Sequence, residues 1–139
     1  MEMKKSIEKR RMGVILTLLS LGLMVFIFEY GKIEQWNTVL QISGILSIIV
    51  FIASLIPTFF KTGLWKFIHK PLKELDEREI VLTSKSLRYA YSIFTVVVLS
   101  LLLILAITTL QIDVVLVAAL ILFAHLLPAS VIAWTEKVI

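Results

Sequence analysis

Four long stretches of the chain contain no Asp, Glu, Lys or Arg and consist almost entirely of apolar residues. They run over 12–28, 35–60, 89–112 and 114–135. A helix that crosses a bilayer needs about 20 such residues, and it satisfies its backbone hydrogen bonds internally. The alternation of apolar and polar residues that is typical of strands is absent. The pattern predicts four transmembrane helices, at about 12–30, 37–58, 88–110 and 113–134.

The segments between these stretches predict how the helices pair. Only Leu110–Asp113 separates spans 3 and 4, so these two helices are expected to be antiparallel neighbours. We therefore expect residues 1–139 to form a single all-α integral membrane domain, built as two antiparallel hairpins. Ala53–Pro57 weakly resembles Ala124–Pro128, which fits either a parallel repeat of the hairpin or a chance match between leucine-rich helices.

The composition agrees with a membrane protein. Of 139 residues, 59% are hydrophobic and 17% are charged, and the mean hydropathy is +0.98. A soluble domain is about half apolar and a quarter charged, so a soluble enzyme is disfavoured. The sequence has no cysteine, which excludes disulfides, thiolate metal sites and cysteine nucleophiles.

The positions of the basic residues predict the orientation. All but one of the 14 Lys and Arg residues precede span 1, lie between spans 2 and 3, or follow span 4, where Lys137 lies; the exception is Lys32. Cytoplasmic segments of membrane proteins are enriched in Lys and Arg. Both termini and the loop over 61–88 are therefore expected on the cytoplasmic side of the cell membrane. No small-residue cleavage site follows span 1, so we expect it to stay uncleaved.

The cytoplasmic loop over 61–88 is the largest predicted soluble segment. Its first part, 64–70, mixes aromatic and basic residues and is expected to lie in the membrane interface, with Trp65 as an anchor. Pro71 is suited to the first turn of a helix. We expect an amphipathic helix that begins at about Pro71 and runs on into span 3.

The charged part of this loop has two interpretations. Opposite charges at i,i+4 spacing predict the ion pairs Lys73–Glu77 and Glu74–Arg78. The stretch is either a solvated helix that fixes the register of span 3 or a docking surface for a partner. The candidate docking residues are Glu74, Asp76, Glu77, Arg78 and Glu79. His69 is the only other metal-ligand type in the loop, so no metal site is expected there.

One stretch of the loop resembles a known family. The run Leu75-Asp76-Glu77-Arg78-Glu79-Ile80 is followed, at the entrance to span 3, by Lys85, Ser86, Arg88, Tyr89 and Tyr91. With the number of spans and the position of the loop, this resembles the "DERE" cytoplasmic loop of a group of small four-helix bacterial and archaeal membrane proteins of unknown function (the DUF2178-like group). The resemblance implies a membrane location and no activity, and it carries over no catalytic residue.

His125 is the one ionisable residue well inside a predicted span. Ionisable groups are costly in lipid, so His125 is either functional, as a proton carrier, ligand contact or pathway lining, or a neutral ring bonded to a Ser or Thr of another helix. It is expected on a face that packs against another helix, together with Ala118, Leu122, Ala129 and Ile132. Haem is not expected, because the only other histidine, His69, lies in the loop.

Small residues in spans 1 and 2 predict a close contact between helices, since they let two backbones approach in lipid. Span 1 carries Gly13, Thr17, Ser20 and Gly22, and span 2 carries Ser43, Gly44, Ser47 and Ser54. Packing is favoured here over the lining of a pathway.

No catalytic motif is recognisable, so the chain is not expected to be an enzyme or to hold a cofactor or metal. The favoured function is a non-catalytic accessory or regulatory role in the lipid bilayer, exercised through a membrane-protein or cytoplasmic partner or a homo-oligomer. The alternative is a small oligomeric transporter or channel-like protein for a neutral or apolar solute or for protons. Nucleic acid is not an expected partner, because the basic residues border the spans.

Overall fold

The structure is a computed structural model that describes residues 2–136, with side chains from residue 4 onward. Within this range the chain is helical and contains no strand, so the predicted all-α fold is confirmed. The α-helices are α1 (Glu2–Glu34), α2 (Thr38–Leu55), α3 (Leu64–Ile68), α4 (Glu77–Thr108) and α5 (Val114–Thr135). A π-helical turn, Ile56–Phe60, continues α2, and a 3-10 turn, Leu72–Glu74, precedes α4.

Four helical segments are long and apolar enough to cross a membrane. They are Lys4–Glu34, Thr38–Phe60, Glu77–Thr108 and Val114–Thr135. Each segment covers one predicted span and leaves out at most two of its residues at either end. Lys4–Glu34 and Glu77–Thr108 also begin well before their predicted spans. Lys137, one of the basic residues from which the orientation is predicted, lies outside the described residues.

The chain divides into two compact units, Met1–Gly63 and Leu64–Ile139. Each contains one helical hairpin, as the sequence predicts: α1 packs along α2 in the first unit, and α4 packs along α5 in the second.

The hairpin of the first unit turns through three residues. Gln35 has a left-handed backbone with φ of 66°, and the side chain of Asn37 caps α2 by accepting a hydrogen bond from the Leu40 N–H at 2.9 Å. Trp36 lies over Gly31, where an added Cβ would come within 2.9 Å of the indole. The return of the chain therefore depends on glycine at position 31.

The predicted small-residue contact between α1 and α2 is confirmed. A buried hydrogen bond of 3.0 Å joins the hydroxyls of Thr17 and Ser54. Ser47 of α2 is also buried, and Gly13 of α1 lies so close to Thr58 that a Cβ at position 13 would overlap the threonine side chain. Small residues thus let the two helices approach closely, as expected in lipid.

Pro57 accounts for the π-helical turn at the end of α2. Proline has no N–H to donate within a helix, and its ring disturbs the preceding turn. The backbone hydrogen bonds at this point span five residues and not four. The Lys61 N–H bonds to the Ile56 carbonyl, five residues back, at 3.0 Å. The widened turn carries Thr58 at its contact with Gly13.

The hairpin of the second unit is closed by the left-handed Thr109 and by Asp113, which caps α5 by accepting from the Leu116 N–H at 2.8 Å. The rings of Phe94 and Phe123 lie 6.2 Å apart between α4 and α5. These contacts confirm the antiparallel pairing of the two helices.

The predicted packing face of α5 is only partly correct. Ala129 and Ile132 are buried, but Ala118, Leu122 and His125 are exposed. Burial in α5 is concentrated in its C-terminal half, where 126–130 is fully enclosed and where α3 packs against it. The sequence pattern did not reveal that the segment before α4 returns to cover α5.

Candidate functional site

Helix α4 begins six residues later than the sequence predicts. Pro71 precedes a 3-10 turn, Leu75 is extended, and Asp76 caps a new helix at Glu77. The prediction of a helix from Pro71 is therefore wrong, although the helix from Glu77 does run without a break into the apolar stretch. The expected i,i+4 pairs are also wrong, because Lys73 and Glu74 precede this helix.

Two of the five candidate docking residues form the cap of α4. The Glu79 N–H donates to Asp76 Oδ1 at 2.7 Å, and the Asp76 N–H donates to Glu79 Oε2 at 3.1 Å. This reciprocal arrangement is a capping box, which satisfies two backbone donors that the first turn leaves without partners. Asp76 and Glu79 therefore have a structural role at the start of α4.

Ion pairs connect the same turn to its surroundings within the second unit. Lys70 Nζ lies 3.1 Å from Glu79 Oε2, which joins the segment after α3 to the first turn of α4. Arg78 Nη2 lies 3.9 Å from Glu136 Oε2 at the end of α5. The Arg78 side chain is 75% exposed, so this second pair is weak. The capping box and the Lys70–Glu79 pair are therefore the contacts that position the start of α4.

Glu74 and Glu77 are the two candidate docking residues that remain available. Both are exposed, and among the described residues neither makes an ion pair or a side-chain hydrogen bond. Leu72, which precedes them, is 74% exposed, and Val81, one turn into α4, is 65% exposed. These four exposed residues, Leu72, Glu74, Glu77 and Val81, lie close together in the sequence at the start of α4, and we call them the acidic edge.

An open groove of about 650 Å³ runs along α4 where its charged part meets its apolar part. Two cations, Lys85 and Arg88, line it together with the hydroxyls of Ser84 and Ser92. No carboxylate is among the described residues that line the groove. Sequence reasoning missed this site, although all of these residues recur at helical spacing on one side of α4.

His125 lies midway along α5, and its hydrogen bond is local. Its Nδ1 is 2.8 Å from the carbonyl oxygen of Ile121, one turn back on the same helix. The predicted alternative, a hydrogen bond from His125 to a Ser or Thr on another helix, is therefore not present in the structure. His125 is exposed and faces a second ring, that of His69.

Three rings meet at this point of the second unit. The rings of His69 and His125 have centroids 6.3 Å apart and planes within 5° of each other. The Trp65 ring lies 4.4 Å from that of His69 and 6.4 Å from that of His125. The expectation that His69 stays apart from His125 is wrong, because α3 packs on α5 and carries Trp65 and His69 with it.

Among the described residues, no group of three or more His, Asp or Glu side chains is arranged to hold a metal ion. The second unit thus offers three polar features: the acidic edge, the basic groove on α4, which shares Val81 with that edge, and the pair of histidines beside Trp65. Comparison of the chain with protein-family models, with curated proteins and with solved structures found no match. The resemblance to the DUF2178-like group therefore stays a prediction that rests on the loop residues.

Proposed function

We propose that the chain is a multi-pass protein of the cell membrane and that it acts without catalysis, as an accessory protein that presents a fixed docking element to a partner on the cytoplasmic side. The distribution of basic residues supports this orientation. In it, both termini and the segment before α4 lie on the cytoplasmic side, and Lys32 lies on the other side.

The observation that carries the proposal is the extension of α4 beyond its apolar stretch. Glu77–Arg88 continues the helix by about 18 Å before the first residue of the charge-free run. The capping box and the Lys70–Glu79 pair fix its first turn. A helix whose first turn is fixed in this way, outside the apolar stretch, suits the presentation of side chains to a second molecule.

The acidic edge is the part of this extension that suits a partner best. Its two carboxylates, at Glu74 and Glu77, are exposed and are not engaged in any ion pair among the described residues. Leu72 and Val81 add exposed apolar surface to them. A partner with an apolar contact surrounded by Lys or Arg matches this combination, since complementary charge steers association and fixes the register of an interface.

The basic groove supports the same orientation. Lys85 and Arg88, with two serine hydroxyls, face outward at the junction of the charged and apolar parts of α4. The cytoplasmic leaflet is rich in anionic lipids, whose headgroups attract basic residues beside a spanning helix. The groove would hold α4 at a constant depth, which in turn keeps the acidic edge at a constant height above the bilayer.

Site-specific crosslinking in native membranes tests the docking proposal. A photo-crosslinking residue replaces Val81 in the acidic edge, which is 65% exposed, or, as a control, Ile112 in the turn between α4 and α5, which is 57% exposed. We expect a discrete protein adduct from position 81 and none from position 112. The double substitution Glu74→Lys and Glu77→Lys should abolish the adduct, whereas Lys73→Glu, a charge reversal at a neighbouring exposed residue, should leave it.

The proposal is contradicted if position 81 forms no discrete adduct, or if the adduct is equally strong in the double charge reversal. Circular dichroism of each purified variant shows whether the helical fold is kept. Loss of the adduct then reports the interface and not the stability of α4.

A further inference from the structure

The basic groove lies where the charged part of α4 gives way to its charge-free run. Its two cations, Lys85 and Arg88, are exposed, and neither forms an ion pair with another described residue. Residues three apart on a helix are neighbours on its surface, so the two charges lie side by side. No carboxylate is among the described residues that line the groove, and the two positive charges therefore reinforce each other there. An anion is the ligand that such a groove favours.

The two serines of the groove differ in what they can offer to an anion. The Ser92 hydroxyl donates to the Arg88 carbonyl at 3.1 Å, so its hydrogen is already in use. The Ser84 hydroxyl is exposed and makes no hydrogen bond to another described residue. Ser84, Lys85 and Arg88 thus present a hydroxyl, an ammonium and a guanidinium on one side of α4. These donors bind phosphate oxygens, and the guanidinium can do so through two parallel bonds.

The same side of α4 continues beyond the groove as apolar surface. Val96 and Leu99 follow Lys85 at about three and four helical turns, and they are 65% and 60% exposed. Tyr89 begins the charge-free run, at the position where a tyrosine marks the headgroup level. Leu99 lies about 15 Å beyond Tyr89 along the helix, which is half the thickness of the hydrocarbon core. The exposed apolar surface therefore extends through one leaflet.

We propose that the basic groove binds the headgroup phosphate of one anionic phospholipid, whose acyl chain lies along Val96 and Leu99. A pair of cations that continues into apolar surface one leaflet long matches an amphiphile, whereas a soluble phosphate compound would leave that surface unused. A zwitterionic phospholipid is disfavoured, because its ammonium group would lie beside Lys85 and Arg88. The inference deepens the proposed function and rests on the membrane placement of α4 made there, since the bound lipid would set the depth of that helix.

The test uses the full chain in mild detergent, and native mass spectrometry measures how many phospholipids it binds and how tightly. We expect one phosphatidylglycerol per chain, bound more tightly than phosphatidylcholine. Lys85→Gln with Arg88→Gln should weaken phosphatidylglycerol binding about 25-fold, since each cation beside a bilayer surface contributes roughly fivefold to the attraction of anionic lipid. Lys66→Gln with Lys73→Gln removes the same charge from exposed positions outside the groove and should keep the wild-type affinity.

A photoreactive phosphatidylglycerol locates the lipid in the wild-type protein, so this readout does not depend on how a variant folds. With the reactive group midway along one acyl chain, it should label the part of α4 that contains Val96 and Leu99 more strongly than the equally apolar α2. Unlabelled phosphatidylglycerol should compete for this labelling. Phosphatidylcholine and the soluble headgroup analogue glycerol phosphate should not compete at the same concentration.

Equal phosphatidylglycerol affinity in the wild type and the groove variant, an equal loss in both double variants, competition by glycerol phosphate, or equal labelling of all four spans would overturn the inference. A dimer that forms through the groove in place of lipid binding would also overturn it. These outcomes are distinct from those of the docking proposal, because the adduct expected at position 81 is a protein. An adduct without selective lipid binding removes the lipid site alone, and selective lipid binding without an adduct removes the docking proposal alone.

Discussion

At the scale of single residues, the role of a charged or small side chain depends on the contacts it already makes. Asp76 and Glu79 are charged and lie in a polar segment, yet both are occupied by the cap of α4. Glu77, between them, has no such contact and remains available. Gly13 and Gly22 illustrate the same point in α1, because only Gly13 lies against a neighbouring side chain.

Gly13→Ala should destabilise the first hairpin. A Cβ at this position would overlap the buried Thr58, and overpacking of this kind costs about 1–3 kcal/mol. Gly22→Ala is the matched control, since nothing lies within 4 Å of a Cβ there and alanine is the better helix former. Thermal unfolding in detergent, followed by circular dichroism, should give a lower midpoint for the first variant only. Equal midpoints for the two variants would contradict the close contact at Gly13.

Sequence reasoning succeeded at this scale where the signal is local and failed where it is not. The small residues Thr17 and Ser54 predicted a close contact, because small side chains let two helices approach and their hydroxyls can bond across the contact. The Asp76-x-x-Glu79 spacing is a capping-box signature and could have placed the start of α4 correctly. The contact between His69 and His125 has no local signal, since it depends on where α3 packs.

At the scale of elements, the charge-free runs predict the presence of helices well, but they predict poorly where each helix begins and ends. All four apolar runs are helical, because a helix satisfies its own backbone hydrogen bonds. The ends are set by caps and prolines whose effect varies with context. Pro57 produces a π-helical turn, whereas Pro128 lies inside an unbroken α5, so the two similar segments that contain them differ in backbone structure. This difference gives no support to a repeat of the hairpin.

Asp76→Ala should loosen the first turn of α4. Loss of an N-cap side chain costs about 0.5–2 kcal/mol, and the effect is confined to the donors that it satisfies. Amide hydrogen exchange should therefore rise in the first turn after Glu77 and stay unchanged in the apolar part of the helix. Glu77→Ala, the neighbouring exposed carboxylate, is the control and should exchange like the wild type. Unchanged exchange in Asp76→Ala would mean that the capping box does not fix this turn.

At the scale of the whole molecule, the three polar features described above all lie in the second unit. The first unit uses its small polar residues for packing, as the Thr17–Ser54 bond demonstrates. The second unit carries the acidic edge, the basic groove and the histidine pair on α3, α4, α5 and the segment between α3 and α4. The accessory role proposed above makes use of the first two features.

The orientation of α4 is the central claim, and single cysteines test it directly because the natural chain has none. Glu77→Cys labels the acidic edge, and Glu34→Cys, an exposed residue at the end of α1, labels the opposite side. A membrane-impermeant maleimide applied to intact cells should modify Cys at position 34 and leave position 77 unmodified until the membrane is opened. Modification of position 77 in intact cells, to the same extent as after permeabilisation, would contradict the account.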